Sequence, residues 1–133
     1  MKKRMLLLMI GVMLSVAVVM AQDVPVGVIV AFKRGSSFEL GKYLSDNVEL
    51  IILNRMSNSD KATAEATMCT FFTQNEVNNF NVNHQGRRGE SSFVIGTLNT
   101  STGNYRVNCF LKKNQNKYLI HLIHQIRIDK ANE

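Results

Sequence analysis

Tryptophan is absent from the 133 residues, proline occurs once, at Pro25, and cysteine twice, at Cys69 and Cys109. Each scarcity excludes something. With one proline and eight glycines there is no Pro- or Gly-rich linker to divide the chain, so a single folding unit is expected. The two cysteines form no CxxC motif and have no paired histidines nearby, so no metal site is expected. No cofactor is expected either. The few aromatic residues, 8% of the chain, are not interleaved with the basic ones as a stacking platform for single-stranded nucleic acid would require. The uncharged, apolar segment of residues 5–20 falls short of the ~20 residues that span a bilayer.

That run nevertheless has a purpose. It follows Lys2, Lys3 and Arg4, and its only polar side chain is Ser15. A basic start, a short apolar core and small residues at Val19 and Ala21 are the pattern of a cleavable secretory signal, with cleavage between Ala21 and Gln22. The expected organisation is a signal peptide over 1–21 and one domain over 22–133, periplasmic or secreted, with no membrane anchor after cleavage. Charge changes accordingly. The chain carries 16 Lys and Arg against 10 Asp and Glu, a net +6, and half of that excess sits in the signal. The remainder is ordinary for a small domain, and no nucleic-acid partner is expected.

An oxidising compartment permits a disulfide between Cys69 and Cys109. Both lie within apolar stretches, Cys69 beside Met68, Phe71 and Phe72, and Cys109 between Val107 and Leu111. Two buried thiols are therefore the favoured expectation.

The domain opens with helical signals. Asp23 is placed to cap a helix with Pro25 in its first turn and Gly35 as its stop, burying Val26, Ile29, Val30 and Phe32. Ser36 with Glu39 reads as a capping box for a second short helix carrying Phe38, Leu40, Tyr43 and Leu44. Ser45, Asp46 and Asn47 read as a turn, 48–53 as a short apolar strand, and 54–59 as polar loop. Residues 60–74 return to helical spacing, with Ser59 as N-cap, Asn75 as stop and Ala64, Met68, Phe71 and Phe72 as the core face.

Beyond Glu76 the period becomes two. Strands are expected over 77–85, 91–99, 105–113 and 117–129. Gly86, Arg87, Arg88 and Gly89 form the first turn, Thr102, Gly103 and Asn104 the second, and 114–116 the third. Four strands joined by short turns make an antiparallel meander. In the last strand Leu119-Ile120-His121 is followed at once by Leu122-Ile123-His124. A three-residue repeat changes face at each copy, so a central strand with a β-bulge is expected there.

The fold class is therefore α+β, with N-terminal helices packed on a curved, mainly antiparallel sheet in the order ααβαββββ. That order resembles the nuclear transport factor 2-like, or cystatin-like, cone. More narrowly, Val24-Pro25-Val26-Gly27, Ile29-Val30-Ala31-Phe32, Val48-Glu49-Leu50 and Ile126-Arg127-Ile128-Asp129 resemble an uncharacterised family of exported bacterial proteins with this fold. The resemblance implies a fold and a compartment, and no catalytic residues.

Isomerases and dehydratases of the cone fold use an Asp or His base with a Tyr or Asp partner. Here Asp23, Glu39, Asp46, Asp60, Glu90 and Asp129 fall at caps, turns or exposed positions, so no catalytic residue is assigned. His121 and His124, three apart on a strand, face opposite ways and share no metal site. The candidate ligand-binding residues are His84, Arg106 and His124, with Arg106, Asn108 and Phe110 on one strand face. The expected function is a non-enzymatic binding or protein-interaction module of the cell envelope, with an unidentified small molecule or envelope protein as partner and a homodimer through the sheet. The alternative is an isomerase-, dehydratase- or hydrolase-type enzyme with its site in the cone.

Overall fold

The structure, a computed structural model, describes residues 24–113 and 121–131. The expected signal peptide with its Ala21–Gln22 cleavage site, the Asp23 cap, the turn at 114–116 and residues 117–120 of the last strand lie outside the described residues.

Helix α1 spans Val26–Arg34. Pro25 sits at its N-cap, and not inside the first turn as expected. At the other end Gly35 adopts φ 60°, its N–H donating to Phe32 O and that of Ser36 to Ala31 O. This double bond satisfies the last carbonyls and requires a left-handed residue, which glycine supplies without steric cost. The buried stripe is Val28, Ala31 and Phe32, with Val24 before the helix; Val26 points to solvent, so the inward face is rotated from the expected one. Helix α2, Ser37–Gly41, begins where Ser36 Oγ accepts from Glu39 N. The capping box is half made: the Glu39 carboxylate turns to Lys42 instead. Leu40 is buried, whereas Phe38 is exposed with the Lys42 ammonium over its ring.

Strand β1, Leu44–Ile52, includes the three polar residues expected as a turn. They lie where its parallel pairing with the last strand is interrupted, between Leu44↔Ile123 and Glu49↔Gln125. The expected loop 54–59 is in fact strand β2, Arg55–Asp60, antiparallel to β1. Leu53 and Asn54 form the two-residue loop, with φ of 51° and 71°. Positive φ at both positions is the mirror-image turn that matches strand twist. The strand escapes a pattern search because it is an edge strand with little to bury.

Helix α3, Lys61–Gln74, is capped by Asp60, whose Oδ1 accepts from Thr63 N at 2.7 Å. Ser59 cannot serve as the cap, because it pairs with Val48 and is buried. Asn75 ends the helix as expected, and Ala64, Met68, Phe71 and Phe72 form its buried face.

The meander follows as β3 (Val77–Arg88), β4 (Ser91–Thr100), β5 (Gly103–Lys113) and β6 (His121–Lys130). Neighbours in this run pair antiparallel, and the sheet order is β2-β1-β6-β5-β4-β3. Two turns are tighter than expected. Gly86, Arg87 and Arg88 belong to β3, leaving Gly89 and Glu90 as the turn. Gly86 is there for close approach: a Cβ would meet the Phe93 ring at 3.0 Å. The β4–β5 loop is Ser101 and Thr102.

The β6 bulge is present. Gln125 pairs with Phe110 and Ile123 with Leu111, leaving His124 as the extra residue. The extra residue returns Ile123 to the inner face with Ile126 and Ile128, all three fully buried. The helices cover this inner face. Phe32 packs between Phe72 and Phe80, and Tyr105, Val107, Cys109 and Leu111 of β5 complete the core. Both cysteines are free thiols; Cys109 is buried, but Cys69 lies on the exposed side of α3, against the expectation of burial.

Candidate functional site

Helix α3 does not close completely over the β1–β2 hairpin. Between them lies an open groove of about 650 Å³. Its apolar floor is Leu50 and Ile52 of β1 and Phe71 of α3, with Leu53 and Met56 at the hairpin tip. Cross-strand register explains the rest. Arg55 stands opposite Ile52 and Ser57 opposite Leu50, so both share the inner face with those apolar residues. From α3 the groove receives Thr67, Thr70 and Gln74, one helical turn apart in sequence.

The end of the groove is braced. Asn75 Nδ2 donates to Phe71 O at 2.9 Å, which holds its side chain against the helix terminus. Its Oδ1 accepts from the hydroxyls of Thr102 and Tyr105, and those two hydroxyls lie 3.0 Å apart. The Tyr105 ring in turn meets Phe71 edge-on at 5.5 Å. This network ties the last turn of α3 to the β4–β5 loop and fixes the position of Phe71. Thr67 and Thr70 donate their hydroxyls to the carbonyls of Thr63 and Ala66, leaving lone pairs to accept. Gln74, Ser57 and Arg55 make no side-chain hydrogen bond among the described residues and remain available as donors.

None of the expected ligand-binding residues lines this groove. His84, Arg106 and His124 stand on strands β3, β5 and β6. Arg106, Asn108 and Phe110 do share a strand face, but it is the outward one, because Tyr105, Val107, Cys109 and Leu111 occupy the inside. The three candidates are not brought together. His84 and His124 have two strands between them, and Arg106 pairs with Asp129, five residues along β6 from His124. His84 rests against the Phe93 ring at 5.2 Å. His124 is held neutral more strongly than an ordinary imidazole. Burial lowers its pKa and the Lys112 ammonium adds to the effect, while Glu49 and a hydrogen bond to the Phe110 backbone oppose it. Its Nδ1 is buried without a partner. Burial likewise pushes the Cys109 thiol up, so it stays protonated. Among the described residues, no group of three or more His, Cys, Asp and Glu is placed to hold a metal ion.

The groove is hidden in the sequence because its framing element, β2, carries no hydrophobic period and has the composition of a polar loop. The one available signal was Arg55 and Ser57 spaced by two immediately after a Leu-Asn pair.

The family model for a domain of unknown function, DUF4783, matches residues 26–129. The chain belongs to the DUF4783 family. Its solved relatives are similar along the whole domain. A family protein from Bacteroides ovatus ATCC 8483 is 64% identical, with a TM-score of 0.79, over 85% of this chain and 100% of that one. Another, from Bacteroides uniformis ATCC 8492, is 61% identical, with a TM-score of 0.77, over 83% and 99%. At fold level only, the chain is similar to an NTF2-like protein of unknown function from Cytophaga hutchinsonii ATCC 33406, at 10% identity and a TM-score of 0.55 over 77% of this chain and 82% of that one. No curated protein matches. The DUF4783 chain thus has the NTF2-like, cystatin-like architecture that its element order implies.

Proposed function

We propose that this DUF4783 chain is an exported, non-enzymatic module that binds a small, largely apolar molecule in the groove between α3 and the β1–β2 hairpin. The carrying observation is the groove itself. A volume of about 650 Å³ lies within the ~300–1,000 Å³ of typical ligand sites. An apolar floor with a few polar groups above it is the usual construction of such a site. The polar groups here are hydroxyls, amides and one guanidinium, which orient a ligand by hydrogen bonding and do not exchange protons near neutral pH. Export rests on the basic, apolar and small-residue order of residues 1–21.

The test uses Nile red, a neutral dye that fluoresces in apolar surroundings. Titration with the purified protein is expected to give saturable enhancement. Thr70→Trp, which puts a large ring into the groove from an exposed helix position, is expected to abolish it with an unchanged far-UV spectrum. Equal binding by the two proteins would place the dye elsewhere and refute the assignment.

A second reading is supported by the outward face. Phe93, Ile95 and Phe110 lie side by side there, and Phe93 pairs directly with Phe110. Burying this row against a second copy would make a homodimer through the sheet. A monomeric mass by light scattering at millimolar concentration would remove it.

A further inference from the structure

The groove contains one charge, and its placement has an implication for the ligand. Arg55 is the first residue of β2, opposite Ile52. Alternation along β2 puts Arg55, Ser57 and Ser59 on the inner side, facing α3. Ser59 is buried beside the helix and Ser57 lines the groove. The guanidinium therefore stands at the mouth, on the same face as Leu50 and Ile52. No carboxylate lies within ion-pair distance of it among the described residues, where the ion pairs are Lys42–Glu39 and Arg127–Asp129. No acidic residue lines the groove.

We infer that the groove takes an anionic amphiphile, an alkyl or similarly apolar body ending in a single carboxylate-type head, with the head on Arg55 and the body on Leu50, Ile52 and Phe71. This rests on the groove being a binding site and specifies its ligand class. A guanidinium offers a rigid pair of donors matched to a carboxylate, and such charge-assisted bonds are the strongest that a half-exposed site can make. Ser57 on the same strand and Gln74 on α3 across the groove are further donors. The apolar floor alone accepts any greasy molecule of suitable size; Arg55 is what selects among head groups of different charge.

The experiment compares three probes with one tail, decanoate, decanol and decyltrimethylammonium, as competitors of Nile red at pH 8 and low salt. Decanoate is expected to bind about tenfold more tightly than decanol, and the cation more weakly than either. In Arg55→Gln the preference for decanoate over decanol should fall below about twofold, with Arg55→Lys intermediate because it keeps the charge and loses the fork. Lys33→Gln, on the far helix, should retain the full preference. Equal binding of decanoate and decanol to the unmodified protein would overturn the inference and leave the groove a neutral site. Arg55 would then serve as an inward-pointing charge that guards an edge strand against pairing. A decanoate preference that survives in Arg55→Gln would also overturn it. If neither decanoate nor decanol displaced the dye, the inference would fall together with the groove assignment.

Discussion

Replacing Gly96 with alanine should be among the most damaging one-carbon changes available to this protein. Gly96 lies on the inner face of β4, between Val94 and Leu98. A Cβ built there comes 2.4 Å from Phe80 Cζ, 2.5 Å from Cε1 and 2.7 Å from the carbonyl oxygen of Asn81. Real Cβ atoms essentially never come within 3.0 Å of such a neighbour, and ordinary contact begins at 3.4 Å, so the ring must retreat by roughly 0.6–1 Å in a close-packed interior. It has nowhere to go. Phe80 is 1% exposed and its other side lies on Phe32, with ring centroids 5.2 Å apart. Overpacking of this kind costs about 1–3 kcal/mol, and a ring wedged on both sides with a backbone oxygen behind it belongs near 3 kcal/mol. Urea unfolding should show that loss as a lower midpoint with an unchanged slope. The cause can be isolated with Phe80→Val, which withdraws the side chain from Gly96. In that background Gly96→Ala should cost only about 1 kcal/mol, the remainder due to the Asn81 carbonyl, giving a coupling near 2 kcal/mol. A cost below 0.5 kcal/mol for the single change, or the same cost in both backgrounds, would refute the steric account.

Other consequences are simpler to check. Cys69 should react with Ellman's reagent in the native protein while Cys109 reacts only on unfolding, because one thiol is exposed and the other is buried and held protonated; two fast thiols, or none, would contradict this. The His124 ring should titrate by NMR below 6.5, and Lys112→Met should raise the midpoint without fully restoring it, since burial is the larger cause. The sign for stability follows: a histidine that folds with a lowered pKa favours the native state at pH above 6.5, and that contribution declines as pH falls below it. His124→Gln should flatten stability between pH 7 and 5 relative to the unmodified protein. Finally, Ser36→Ala removes the acceptor for Glu39 N and should cost about 1 kcal/mol, read from the same urea curves; no change would mean that α2 is held by packing alone.

Most of the core was legible because it repeats. The four buried residues of α3 stand at helical spacing, and β4 alternates without interruption from Ser91 to Thr100, burying every second residue. Such patterns reflect what water excludes, so they can be read without knowing the partners. The groove was not legible for the complementary reason. Its edge strand β2 has one inward residue buried and the rest exposed, so hydrophobic period carries no information there. What creates β2 is the Leu53–Asn54 turn, and a leucine at φ 51° does not announce a turn as Asn-Gly would. A bond from Leu53 N to Ile128 O at 2.9 Å supports that conformation, and such a contact is visible only once the chain is folded.

The tandem repeat in β6 is the case where sequence pattern and structure meet. Regular pairing through Leu122-Ile123-His124-Gln125-Ile126 would put Ile123 and Ile126 on opposite faces. One of them would then stand among the outward-facing residues near Phe110 and Arg127, and the core would lose a large aliphatic side chain. Insertion of one unpaired residue restores both to the inside, and the residue inserted is His124, the most polar of the repeat. The cost appears at the same position. The bulge holds His124 with a buried, unpartnered Nδ1, and burial, aided by the Lys112 charge and opposed by Glu49, lowers its basicity. The perturbed histidine is thus explained by the demands of the strand that carries it. That is why the functional assignment rests on the groove, where the Arg55 guanidinium makes no ion pair among the described residues.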